Sequence, residues 1–262
     1  ASALEISFGG LELESQVDTL VCVTGGDAAL SINGQDAETW RSHQLRCGDT
    51  LKLGFASKYC RSYLAVAGGF DVAPQFGSTA TVVREGIGGL DGKKLTAGTV
   101  LSVTAQASLA CLQLPPDIQP DYCDEISVRV IPGYQQAHFP AMQQRRFFSG
   151  VYTVTDRADR MGYRLEGPAI ECDLQGILSE GICMGAIQIP ADGQPIVLLQ
   201  DRQTIGGYPK IGSALSLDSA RLAQLMPGAK VRFEPISPAD AHNQLALAHS
   251  RFQRSEPVAC GE

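Results

Sequence analysis

The chain has 262 residues, 44% of them hydrophobic, with 28 acidic against 21 Lys and Arg side chains and a formal net charge of −7. The apolar content supports a packed core and excludes a disordered chain, and the length allows one large or two ordinary domains. The acidic balance argues against a nucleic-acid backbone as partner, and no apolar run approaches the ~20 residues that span a bilayer. With no basic and apolar leader pattern in residues 1–6, the expectation is a cytoplasmic protein that engages neither nucleic acid nor membrane.

Residues 4–114 read as short strands and turns. Leu4, Ile6 and Phe8 alternate with polar residues and stop at Gly9-Gly10. The run 20–23 is a buried strand ended by Gly25-Gly26, and Ser31-Ile32-Asn33-Gly34 is a hairpin signal. Another apolar strand, 63–67, ends at Gly68-Gly69. The glycine-rich run 86–92 is not a phosphate cradle of the P-loop type, because Ile87 stands where the first glycine belongs and Lys94 where Ser or Thr should follow Lys93. A short pattern recurs: Leu45, Gly48, Leu51; Leu95, Gly98, Leu101; Leu225, Gly228, Val231. Each copy reads as a turn launching a strand, which suggests two barrel-like units.

The Pro-dense segment 115–124 divides the chain. We expect an N-terminal barrel domain over 1–120, a C-terminal barrel domain over 121–237 and a helical tail over 238–262, its last residues loose. Residues 135–146 are polar and of helical character. Asp218 is placed to cap a helix over 219–226, and Ser237 to cap the tail helix with Pro238 in its first turn. The eight cysteines include no C-x-x-C pair and are expected to be buried, reduced thiols. His242 and His249 lack acidic or thiol partners at ligand spacing, and no metal site is expected.

Two polar clusters carry the chemistry. The first runs from Thr155 to Arg164, the second from Asp201 to Lys210, and the turn at Asp192-Gly193 lies between them. Arg160 and Arg164 are four apart. On an extended segment they share a face, where two guanidiniums repel unless an anion lies between them. They are candidate seats for a carboxylate or phosphate, although charged pairing with Asp156, Asp159, Glu166 and Asp201 reads equally from the residues alone. Gly206-Gly207-Tyr208-Pro209 is either a plain turn or a backbone loop approaching a ligand, with Tyr208 as wall or donor. Asp201 follows the strand 196–199, where it can orient a ligand or cap the turn.

Asp-Arg-Met-Gly-Tyr-Arg-Leu-Glu-Gly-Pro at 159–168 and the long run 192–210 resemble the second-subunit family of allophanate hydrolases and biotin-dependent carboxyltransferases, whose bacterial members include 5-oxoprolinase subunits. Residues 61–72 and 86–92 resemble its first half. The resemblance implies an all-β fold with a few short helices, built as two cyclophilin-like β-barrel domains. It further implies an ATP-dependent opening of 5-oxo-L-proline to L-glutamate, with ATP and Mg2+ shared with partners: a homologous B subunit and an A subunit. On this reading Arg160, Arg164 and Asp201 are catalytic, and Gln188, Arg202, Gly206, Gly207 and Tyr208 bind a small-molecule amide. The alternatives are a carboxyltransferase subunit of a urea carboxylase type system and a non-catalytic regulatory partner. No Met-Lys-Met attachment signal occurs, so no biotin is expected on this chain.

Two departures stand out. The family carries a Gln-Asp-x-Gly-Arg-like segment before the stretch matching Leu4. Its absence is expected either of a fragment or of a first barrel short of a strand. The acidic positions after the family's Pro-Gly-Pro are Gln135, Gln136 and Ala137 here.

Overall fold

A computed structural model describes residues 1–104, 110–174 and 176–260. The fold is mostly β with short helices, and the chain divides into one unit of Ala1–Pro120 with Glu256–Glu262 and a second of Asp121–Ser255.

The first unit holds two four-stranded antiparallel sheets. One runs in the order Ala3–Ser7, Arg61–Val66, Thr19–Gly25, Ser42–Leu45, the other Gly9–Glu14, Thr50–Phe55, Leu30–Ile32, Gln35–Ala37. Alternation decides what each strand buries: Leu51 and Leu53 are fully buried while Lys52 between them is exposed. These leucines join Val21, Val23, Leu45 and Leu64 in one core. The turn Asn33-Gly34 has both residues at positive φ, 53° and 77°, the backbone that a two-residue hairpin needs.

The second unit is a closed seven-stranded barrel. Its strands follow the order Glu125–Pro132, Lys210–Ala214, Ala186–Gln188, Ile196–Leu198, Gly162–Glu166, Val151–Ala158 and Lys230–Pro235. The first and last pair in parallel and close the ring; the other pairs are antiparallel. Val128, Tyr152, Tyr163, Leu165, Ile187 and Val197 fill it. Phe147, from the helix Ala141–Ser149, stacks on Phe233 with centroids 4.4 Å apart.

Several expectations need correction. The second helix spans Ser216–Leu222, with Leu215 at its N-cap and no side-chain cap. Asp218 lies inside it, with its side chain buried. It accepts hydrogen bonds from the Arg129 backbone N–H, Nε and Nη2 at 2.7–2.8 Å. A buried charge takes the charged partner before the cap. Ser237 does cap the helix Pro238–Arg254, its hydroxyl accepting from the Asp240 N–H at 3.1 Å. The segment expected to be loose forms a strand, Val258–Ala259, paired with Leu112–Gln113; residues 261–262 lie outside the described residues. Of the cysteines only Cys60 is buried, and Cys47 and Cys183 are exposed. Gly48, Gly98 and Gly228 all take positive φ near 90° in open space, so the recurring pattern is a shared turn conformation. The first and third copies launch strands, Thr50–Phe55 and Lys230–Pro235, while the second leads only to an isolated bridge at Val103.

Candidate functional site

The barrel wall has two faces, and the site is built on the outer one. In Gly162–Glu166, Tyr163 and Leu165 point into the core, so Gly162 and Arg164 point out. In Ile196–Leu198, Val197 points in, and Ile196 and Leu198 point out. The register sets these outward positions side by side: Gly162 opposite Leu198, Arg164 opposite Ile196, and Gln188 opposite Ile196 from the next strand. They line a cavity of about 360 Å3, shared with Arg157, Asp159, Gln203 and Tyr208. That is the small end of the range for small-molecule sites.

Two devices shape its rim. Asp159 ties the hairpin between Val151–Ala158 and Gly162–Glu166, its Oδ1 accepting from the Met161 N–H at 2.8 Å and the Gly162 N–H at 3.3 Å. On another side a small two-stranded sheet, separate from the barrel, pairs Glu180–Gly181 with Ile205–Gly206. Lys210 forms a close ion pair with Glu180, and Gln135 donates to the same carboxylate oxygen at 2.8 Å. The Lys210 ammonium, then the Gln135 amide, hold the Glu180 carboxyl below the usual glutamate range.

Gln188 is the most telling residue. It is 2% exposed, and its side-chain amide has no hydrogen-bond partner among the described residues. Its amide is not among the fully buried unpartnered atoms, which among the described residues are Gln135 Oε1 and Gln143 Oε1, so it opens onto the cavity it lines and is available to a ligand. Gly206 lies against it: a Cβ at 206 would stand 3.1 Å from Gln188 Nε2 and 2.5 Å from Ile182 Cδ1. The glycine thus leaves room beside the amide.

The two candidate arginines part company. Arg160 donates from Nε and Nη2 to the two oxygens of Asp201, at 2.7 and 3.0 Å. With the Asp201 N–H to Arg160 C=O bond of 2.8 Å, this pair fastens the loop after Ile196–Leu198 onto the hairpin. Neither residue lines the cavity. Arg164 does, and its only ion pairing among the described residues is a loose 3.6 Å contact with Asp192, both side chains more than a third exposed. A contact of that kind is weak and exchangeable. Arg157 also lines the cavity and has no ion-pair partner among the described residues.

Of the other expected site residues, Tyr208 forms a half-exposed wall of the cavity. Arg202 does not reach it; its guanidinium donates to the carbonyls of Ile182 at 3.2 Å and Leu199 at 3.3 Å. Gly207 is required by backbone: a Cβ there would meet the Ile177 carbonyl at 2.9 Å, and its own carbonyl accepts from the Ile177 N–H. Ile196, Leu198 and Gln203 line the cavity although a reading of charged motifs passes over them. For the first two the available signal was alternation around Val197.

Chemically, the cavity offers two amides, two guanidiniums, a phenol and an apolar strip. Asp156 and Asp159 also line it. This suits a small, planar, polar molecule carrying one negative charge.

Comparison with known proteins gives a consistent result. Residues 1–235 match the family described as "Carboxyltransferase domain, subdomain A and B". The chain is 34% identical over 236 residues to the C subunit of the 5-oxoprolinase of Haemophilus influenzae, covering 90% of this chain and 75% of that protein. It is 29% identical over 261 residues to the urea amidolyase of Lachancea kluyveri, covering 90% of this chain and 14% of that one. The crystal structure of the K. lactis urea amidolyase superposes with a TM-score of 0.90 at 23% identity over 99% of this chain, which is 17% of that larger chain.

Proposed function

We propose a role from one established premise: the chain belongs to the carboxyltransferase domain family, subdomains A and B. It is a subunit of a 5-oxoprolinase, working with a homologous B subunit and an A subunit to open 5-oxo-L-proline to L-glutamate at the expense of ATP. The observation that carries this reading is the pairing of Gln188, an open buried amide, with Arg164, a loosely held guanidinium, across Ile196. A cyclic amide bearing one carboxylate presents both matching groups.

In this reading Arg164 leaves Asp192 and takes the substrate carboxylate. Gln188 Nε2 donates to the lactam oxygen, where negative charge grows as the ring is attacked. Tyr208 closes one side, and Ile196 and Leu198 bear on the ring carbons. Arg160 and Asp201 act by positioning, as they hold the loop that carries Gln203. ATP would activate the amide oxygen when bound, its site shared with the partner subunits.

The test is reconstitution with B and A subunits, ATP and 5-oxo-L-proline, following glutamate release. Arg164→Ala is expected to lower kcat/KM by about 10- to 100-fold, the worth of one charge-assisted hydrogen bond. Unchanged turnover in that variant would remove the site. A second reading, carboxyl transfer from carboxybiotin to urea, draws on the similarity to urea amidolyase over 90% of this chain. Transfer to urea with a biotinylated partner, without glutamate release, would select it.

A further inference from the structure

Three cysteines gather in the first unit. The strand Val258–Ala259 pairs with Leu112–Gln113 in the register Val258 to Gln113 and Ala259 to Leu112. One step further sets Cys260 opposite Cys111, and the Cys260 N–H donates to the Cys111 carbonyl at 2.9 Å. Directly opposed residues share a face of the ribbon. Opposed residues of an antiparallel ladder have Cα atoms about 4.5–5.5 Å apart, inside the span that a disulfide bridges. Both thiols are partly exposed, so a solution oxidant can reach them.

Cys22 adjoins the pair. It is opposite Ser42 in its sheet, and Ser42 Oγ accepts from the Leu112 N–H at 2.6 Å and donates to the Leu112 carbonyl at 3.1 Å. Burial first, and the nearby Cys260 second, push the Cys22 thiol up. Cys22 therefore keeps its proton at neutral pH and is a poor nucleophile.

We propose that Cys111 and Cys260 form a reversible disulfide, a covalent modification site that fastens the C-terminal strand to the first unit. The oxidant class is a low-molecular-weight disulfide. One cysteine thiolate attacks it, breaks its S–S bond and releases one small thiol. The second cysteine thiolate attacks the protein sulfur of the mixed disulfide and releases the other. Two electrons pass from the protein to the oxidant, and the two protons end on the released thiols. The inference is independent of the enzymatic reading, since it rests on residues of the first unit alone.

The test uses the full chain, treated with oxidised glutathione, alkylated, digested and mapped by mass spectrometry. The expected result is a peptide linking Cys111 to Cys260, its yield reversed by dithiothreitol and unchanged in Cys47→Ser. Cys260→Ser should abolish it and leave Cys111 either alkylated or capped by glutathione, with no internal link. Mixed disulfides with glutathione and no internal link, a link to Cys22 instead, or a scatter of links including Cys47 and Cys183 would each overturn the assignment. Because the wild-type map alone decides between these outcomes, the result holds even if a variant folds poorly.

Discussion

Methionine comes close to the length of glutamine without its amide, so Gln188→Met separates what the residue does for folding from what it does for ligand. The Gln188 amide makes no bond to the described residues, so an apolar replacement of similar length removes no hydrogen bond from the fold. The variant is therefore expected to melt near the wild-type temperature by calorimetry. Its KM for 5-oxo-L-proline should rise about tenfold, on the order of 1.4 kcal/mol. Gly206→Ala makes a complementary case. Its new methyl meets the flexible end of Ile182 and the Gln188 amide, rather than backbone. Fold should survive, with a Tm within a few degrees of wild type, while ligand affinity measured by titration calorimetry drops several-fold, on the order of 1 kcal/mol. At this level the sequence disclosed the residue types and hid their partners. Arg160, Arg164 and Arg202 look alike in a motif. Only the structure gives Arg160 to Asp201 and Arg202 to backbone carbonyls, and leaves Arg164 facing the cavity.

Segments show where the information lay. Strand Thr19–Gly25 was legible because an apolar run ends at a glycine pair, and the Ser237 cap because its chemistry is local. The helix Ser216–Leu222 was misplaced because Asp218 answers to Arg129, 89 residues away, which no local pattern reveals. The two-stranded flap was missed since its strands are only two residues each and their pairing is long-range. Its hold depends on pH. Glu180 has a depressed folded pKa, so the Lys210–Glu180 contribution is complete above the ordinary glutamate value of about 4.3 and is lost as pH falls through the lower folded value. Hydrogen exchange of Gly181 and Ile205 should accelerate below that range relative to the barrel strands. In Glu180→Gln the exchange should already be fast at neutral pH. A flap whose protection ignores both pH and this substitution would rule out the ion pair as its fastening.

For the molecule as a whole, the mostly-β architecture was visible from turn spacing and alternating patterns, and it is what the family comparison supports. The closed barrel of the second unit was expected, but the pairing that closes it was not: it is the parallel match of Glu125–Pro132 with Lys230–Pro235, about a hundred residues apart, and rests on no feature of either strand alone. Stability of that ring should lean on Asp218, whose side chain is 1% exposed and paired with Arg129 from the first barrel strand. Asp218→Ala leaves a guanidinium without its counter-charge and is expected to cost about 3 kcal/mol, read as a lower denaturant midpoint with weaker amide protection in Glu125–Pro132.

The two-faced barrel wall has a further consequence. Adjacent positions on one strand serve separate masters: Tyr163 and Val197 answer to packing, Arg164 and Ile196 to whatever enters the cavity. Randomising 164, 188, 196 and 198 while holding 163, 165, 187 and 197 constant should then yield variants that keep one scaffold and diverge in ligand preference. The backbone of the wall would then stay fixed while the outward row alone sets what the cavity accepts.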